Sequence, residues 1–264
     1  MRNEAEQKVS RFYNAGGWEV SNGITGDADR WEDTRVCSQE YVKKCRMRVM
    51  EYVPSHGEYI LDMASGPIQY PEYIEYSKNF DKRYCVDLSI SALLQAKIKI
   101  GVHGIYLNGS FLDLNFSKDY FDCSLSLHTI YHVDKDEQEK VVRKMIHVTK
   151  KNRPIVIVYS NPKTLIFYLK KVFYIFRKKK HVKSKNNDEL YYYAHELKWW
   201  DRFHDQAEIK VMPWRSFNSN EMKCFIPDNL LGKFMLNTLF RLENRLPNIF
   251  VKFFQYHVIV LLKK

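Results

Sequence analysis

The stretch YILDMASGPIQYPEY, Tyr59 to Tyr73, decides how this chain is read. An apolar run ends in an acid, Asp62, then passes through Met63, Ala64, Ser65, Gly66 and Pro67 into an aromatic-rich segment. A short apolar run bounded by turn residues reads as a buried strand. The small residues behind it allow a backbone to approach a ligand closely, Gly66 can take positive φ, and Pro67 directs the chain onward. The same letters also describe a plain strand end with an ordinary turn, so the flanking sequence has to separate the two readings.

Working outward, strand-like and helix-like segments alternate from about residue 58 to 160. After EYILDM, the segment IQYPEYIEYSKNF is helical once past Pro71, and RYCVDL is a second strand. SISALLQAKIKIG follows with helical spacing, Ser89 or Ser91 as its cap and Gly101 as its stop. GIYLNG and FDCSLSLHTIYH are the third and fourth strands. DKDEQEKVVRKMIHVTK is an amphipathic helix with acids early and bases late, and RPIVIVYS is a continuous β-branched strand suited to burial on both faces. Such alternation means βαβ units and a doubly wound, mostly parallel sheet, whose ligands bind at the carboxyl ends of the strands. Farther on, AEIKVMPWRS and YHVIVLLKK read as two more strands flanking the helix DNLLGKFMLNTLFRLENRL. The first 50 residues are expected to lay helices and loops over the front of the sheet.

Composition bounds the partners. With 264 residues, 45% hydrophobic and 15% aromatic, the chain can bury a large core, which excludes wholesale disorder. A net charge of +11 favours anionic partners and leaves nucleic acid, phosphorylated small molecules and acidic membrane surfaces open. Cys37, Cys45, Cys85, Cys123 and Cys224 form no CxxC pair, which argues for a reducing compartment. The polar N-terminus is no signal peptide, and no apolar run approaches the ~20 residues of a membrane span. The expectation is a soluble cytoplasmic protein, with peripheral contact at the membrane inner face as the open alternative.

The strand ends carry the chemistry. Asp87 closes the second strand, 25 positions after Asp62, where an acid accepts hydrogen bonds from both ribose hydroxyls. NGSFLDL closes the third, where a side chain and a backbone amide can read an adenine edge, and the fourth ends in Leu127-His128. GxGxxG is absent, which excludes a NAD-type site.

With these four strand ends in register, the chain resembles the class I S-adenosylmethionine-dependent methyltransferases, over residues 55–160 and more loosely over the last strand pair. ILDMASGP stands at the family's Asp/Glu-x-Gly-x-Gly motif, CVDLS supplies the ribose acid, and FDCSLSLHTIYHV matches the fourth-strand segment. Departures are Ala64 and Pro67 at glycine positions, and Gly109-Ser110 where the family has Gly-Asp; Asp113 is the candidate replacement. The resemblance implies S-adenosyl-L-methionine as cofactor. Asp62, Ala64, Ser65 and Gly66 would face its methionine end, Asp87 its ribose, and Leu88, Ser110, Phe111 and Leu127 its adenosyl surroundings. It also implies one domain, with an N-terminal lid over 1–54, a cofactor core over 55–160, an acceptor-side insertion over 161–206 and a strand-helix-strand completion over 207–264.

Methyl transfer to a hydroxyl needs alignment, exclusion of water and a general base. His128, at the strand end, is the better placed to look into the pocket, and His132, one helical turn on, is the second candidate and more often caps or packs the following helix. Both can also be structural, and a metal reading fails for lack of a third ligand. Tyr13, Trp18, Trp31 and Arg35 in the Gly-, Asp- and Trp-rich N-terminal stretch are candidate lid and acceptor contacts, or simply a packed cap. YYYAHELKWWDRF offers Tyr192 and Trp199 for stacking and His195 as a further base, or a helix packing its aromatics into the core. Lys170 to Lys185 holds eight basic residues and no acid, which suits a membrane interface over 164–185, a phosphate-bearing acceptor, or RNA. The favoured function is O-methylation of a small or carbohydrate-type acceptor, lipid- or nucleotide-linked, with some likeness to surface-glycan (polysaccharide biosynthesis) methyltransferases. An RNA methyltransferase and an inactive binding protein of the same fold are the alternatives. The Asn/Asp-Pro-Pro-Tyr signature of adenine-amine methylation is missing at SLHTIYH.

Overall fold

The computed structural model describes residues 4–21, 24–169 and 190–264. The basic stretch 170–185 lies outside the described residues. A small hairpin pairs β1 (Val20–Ser21) with β2 (Ile24–Thr25). The main sheet is built from β3 (Gly57–Met63), β4 (Phe80–Asp87), β5 (Gly104–Asn108), β6 (Cys123–Leu127), β7 (Pro154–Ser160), β8 (Ala207–Arg215) and β9 (Tyr256–Lys263). Its order is β5–β4–β3–β6–β7–β9–β8, with the first five strands parallel and β9 antiparallel to both its neighbours. This is the seven-stranded, mostly parallel, doubly wound sheet that the alternating pattern specifies.

Period-two alternation sorts the strands between two cores. On β7, Ile155, Ile157 and Tyr159 face one side, while Val156 and Val158 face the other. All seven β7 residues are buried, which is why the sequence shows an unbroken apolar run rather than alternation. One side is covered by α6 (Gln138–Val148) together with Trp199, Trp200 and Phe203. The other is covered by α3 (Val36–Met47) and α8 (Leu230–Arg245), through Tyr41, Val42, Cys45 and Leu236.

The remaining helices are α1 (Glu4–Phe12), α2 (Gly26–Trp31), α4 (Pro71–Glu75), α5 (Ile90–Ile100), α7 (Ser219–Phe225) and α9 (Pro247–Phe253). The cap chemistry agrees with the sequence: the Ser89 hydroxyl accepts the Ala92 amide and Gly101 stops α5 at φ +50°. Residues 190–196 form no helix, and only Leu197–Phe203 turn, as a 3-10 segment. The amphipathic helix that the aromatic cluster could have formed is therefore absent, because its backbone is spent on tertiary contacts: the Tyr193 amide donates to the Tyr131 carbonyl and the His195 amide to the Tyr159 hydroxyl.

Candidate active site

At the carboxyl ends of β3, β4 and β6 the sheet opens into a cavity of about 560 Å³. Its volume falls in the range of small-molecule sites, ~300–1,000 Å³. All nine residues expected at the cofactor line it: Asp62, Ala64, Ser65, Gly66, Asp87, Leu88, Ser110, Phe111 and Leu127.

The turn after β3 is held by the strand beside it. Ser65 donates its amide to the Val86 carbonyl at 3.1 Å, and Gly66 donates to Asp87 Oδ2 at 2.8 Å. Asp87 Oδ1 accepts the Ser89 amide, also at 2.8 Å. Burial pushes the Asp87 carboxyl up to about 6, and these amides offset only part of that. Each carboxylate oxygen retains a lone pair beyond the amide it accepts, so the pair can still receive two hydroxyls. Ala64 takes φ +59° and Gly66 φ +56°. The Ala64 backbone thus adopts a left-handed conformation natural to glycine, at a cost of roughly 1–2 kcal/mol.

Asp62 is tied from behind. Fully buried Arg83 donates Nε to Asp62 Oδ2 at 3.0 Å and adds a second contact through Nη2. On the other flank Ser110 donates to Glu6, and the Phe111 ring stacks on Phe116 with Lys144 Nζ 5.0 Å from its centre. Asp113 is exposed and lines no part of the cavity, so it does not replace the acid missing after β5.

The N-terminal segment closes over this wall. The Trp18 ring stacks on Tyr13 at 4.6 Å, and a side chain on Gly66 would meet it at 3.2 Å. Gln95 donates to the Trp18 carbonyl at 3.0 Å, and Ser89 donates to Asn14 at 2.8 Å, pinning the segment to α5. Asp27, from α2, lines the cavity with its carboxyl pushed up to about 6 by burial.

Across the cavity, His128 directly follows β6 at φ +59°, a strained conformation of the kind that concentrates at functional sites. Its Nδ1 lies 3.0 Å from the Tyr131 hydroxyl, its ring packs edge-on to Trp214, and burial drives its pKa well below the usual range. His132 Nδ1 sits 2.6 Å from the Tyr191 carbonyl oxygen. A carbonyl only accepts, so Nδ1 carries the proton and Nε2 holds the lone pair. Burial lowers the His132 pKa to about 4, which keeps it neutral at working pH. Buried Arg215 pairs with Glu32 from the segment after α2, and its guanidinium lies 5.0 Å from the Trp214 ring.

Residues 61–157 match the family model of a methyltransferase domain. Those residues are a methyltransferase domain, and the chain has the fold of S-adenosylmethionine-dependent methyltransferases. The fold likeness extends over the whole chain. Magnesium protoporphyrin IX methyltransferase from Synechocystis PCC 6803 is 10% identical with a TM-score of 0.57, covering 100% of this chain and 99% of that one. Geranyl diphosphate C-methyltransferase from Streptomyces coelicolor is 12% identical at TM-score 0.56, covering 100% of both chains. A Haemonchus contortus phosphoethanolamine N-methyltransferase is 12% identical at TM-score 0.52, covering 98% of this chain and 57% of that one. A search of curated proteins finds no match.

In this methyltransferase domain the cavity also takes in His128, His132, Tyr13, Trp18, Trp31 and Tyr192. Three candidates lie elsewhere. Arg35 is committed to Asp33, at 2.8 and 2.9 Å, and to the Ile226 carbonyl at 2.8 Å, where it anchors α3. Trp199 is buried in the core beneath the sheet, and His195 lies flat against it at 4.5 Å, so neither reaches the cavity wall. Sequence reasoning missed Arg83, Asp27, Glu32, Arg215, Tyr131 and Tyr256. The sequence did not single out Arg83 or Arg215, because each shares its strand with further charged residues, Asp81 and Lys82 on β4 and Glu208 and Lys210 on β8, although a buried cation needs a partner. Nothing local marked Glu32 as that partner for Arg215.

Proposed function

We propose that the protein methylates a hydroxyl oxygen of a small, carbohydrate-type acceptor, with His132 as general base. S-adenosyl-L-methionine, when bound, supplies an electrophilic methyl group on a sulfonium sulfur. The residues present fit that donor: Asp87 offers two acceptor oxygens to a ribose, Asp62 and the Ala64–Gly66 turn border the methionine end, and Leu88, Ser110, Phe111 and Leu127 surround the base. Trp18 and Tyr13 exclude water from above. His132 Nε2 takes the acceptor's proton as the oxygen gains the methyl group and the methyl–sulfur bond breaks with its electron pair left on sulfur, and releases that proton to solvent afterwards.

The observation that carries the choice of oxygen is the fixed tautomer of His132, neutral and with one free lone pair. A nitrogen or carbon acceptor makes different demands, and similar folds include a C- and an N-methyltransferase, so the likeness itself does not choose. The Tyr70, Tyr131, Tyr192 and Tyr256 walls suit the faces of sugar rings or planar acceptors. In this reading residues 1–54 act as the lid, 55–160 as the cofactor core, 161–206 as the acceptor-side insertion, and 207–264 complete the sheet. The net charge of +11 supports a phosphate-bearing, lipid- or nucleotide-linked acceptor, and five free cysteines support a cytoplasmic setting.

The test pairs calorimetry with S-adenosylhomocysteine and transfer of labelled methyl groups to a panel of sugars and phenols. His132→Ala is expected to keep the binding constant and to lose ~10²–10⁴ in kcat. Equal loss of binding and turnover refutes His132 as the base, and full activity in His132→Ala with loss in His128→Ala transfers the role to His128.

A further inference from the structure

The helix α8 is apolar on two sides. Its inner face, through Gly232, Leu236 and Glu243, is buried, with the Phe240 ring edge-on to Tyr41 of α3 and Glu243 accepting the Tyr41 hydroxyl at 2.7 Å. The outer face would be expected to be polar. Instead Leu230 is 85% exposed, Leu231 59% and Phe234 66%, and the run continues through Leu242 and Leu246 to Ile249 of α9. Phe225, 53% exposed at the end of α7, adjoins its start. Contiguous exposure of large side chains on this scale marks a contact surface.

Charge identifies the partner. Lys223, Arg241, Arg245 and Lys252 are exposed on the same helices and form no ion pair among the described residues. The one exposed acid between Ser219 and Phe254 is Asp228, since Glu221 is buried as a cap and Glu243 is buried against Arg48. At 100° per residue Arg241 and Arg245 fall on the same side of α8 as Leu231 and Phe234. Apolar side chains interleaved with unpaired cations form the surface of a helix lying in an anionic lipid interface. A two-fold contact with a second copy would bring the same arginines toward one another. No helix among the described residues is long and apolar enough to cross a membrane, so the contact is interfacial.

We propose that the outer face of α7–α9 docks the protein on an anionic bilayer. The site it serves is adjacent: Asn218, Ser219 and Asn220, at the start of α7, line the cavity, and the exposed face begins one turn farther along that helix. A membrane-bound acceptor would then reach the cavity without leaving the interface. This surface is formed by residues other than the basic stretch 170–185, and the inference stands whether or not the acceptor is a sugar hydroxyl.

Cys224 supplies the probe, being the exposed one of five free cysteines. The full chain, labelled there with an environment-sensitive fluorophore, is mixed with vesicles of phosphatidylcholine alone or of phosphatidylcholine with phosphatidylserine. The expected result is a blue shift and co-sedimentation only with the anionic vesicles, weakened by salt. Leu231→Ser with Phe234→Ser, which leaves charge untouched, should lower vesicle affinity at least tenfold while S-adenosylhomocysteine affinity stays unchanged. Arg241→Glu with Arg245→Glu should lower it at least 25-fold, at about fivefold per cation lost. Three outcomes overturn the proposal: undiminished binding by the Leu231/Phe234 variant, a fluorophore that reports water throughout, or a lipid-free dimer that the same variant converts to monomer.

Discussion

The strongest single test of the site is the response of ligand affinity to pH through Asp87. Its carboxyl is raised from 3.8 to about 6, chiefly by burial. Because the folded-state value lies above the unfolded one, the native state holds this proton more tightly. The stability contributed by the group is complete below pH 3.8 and is lost as pH rises through 6, an amount on the order of 3 kcal/mol at 1.36 kcal/mol per unit. Ribose hydroxyls can only donate to the pair of oxygens when both are bare, so ligand binding runs the opposite way. The ionised fraction falls about tenfold between pH 7 and pH 5, and affinity for S-adenosylhomocysteine should fall about tenfold with it. Calorimetric titration from pH 5 to 7 measures this directly. Asp87→Asn, which keeps one acceptor oxygen, should weaken binding at pH 7 by about 10- to 100-fold, through one lost hydrogen bond to a charged acceptor, and should flatten the pH profile. Asp27 also titrates near 6 in the same cavity. Asp27→Asn serves as the control and should keep the slope. A wild-type affinity that does not change between pH 5 and 7, or a slope that survives in Asp87→Asn, refutes the assignment of Asp87 to the ribose.

Two further outcomes probe how the lid and the acceptor wall are held. Glu32→Gln strips the charge opposite buried Arg215; the expected cost is about 3–5 kcal/mol, readable as a fall in Tm of ~6–15 °C, and a change under 2 °C would show that the pair is not carrying the wall. Gly66→Ala places a methyl group 3.2 Å from the Trp18 ring at φ +56°, costing ~1–2 kcal/mol and displacing the lid. Its signature is a loss of S-adenosylhomocysteine affinity together with a change in tryptophan emission, and unaltered emission would argue that Trp18 does not close on the turn.

The depressed histidines and the raised aspartates share one cause. Each is pushed toward its neutral form by burial in a largely apolar cavity. At pH 7 both aspartates, titrating near 6, are still mostly ionised and offer negative charge to a cationic donor, while the imidazoles are neutral and available to accept a proton.

Local sequence was enough for the sheet. Each strand of the main sheet announced itself by its apolar pattern within about ten residues, as did α5, α6 and α8, and the caps at Ser89 and Gly101 are interactions between near neighbours. Because strand ends of a doubly wound sheet gather at one edge, placing Asp62, Gly66, Asp87, Ser110 and Leu127 at strand ends also placed them in one cavity. Sequence could not choose among the side chains whose role depends on distant partners. Trp199 and Tyr192 belong to one aromatic cluster, yet one fills the core and the other faces the cavity. His132 owes its tautomer to a carbonyl 59 residues away, and Arg215 its partner to a residue 183 positions upstream. Those pairings are set by how helices and loops pack over the sheet, a global minimisation of buried charge and empty volume that no short stretch of chain encodes.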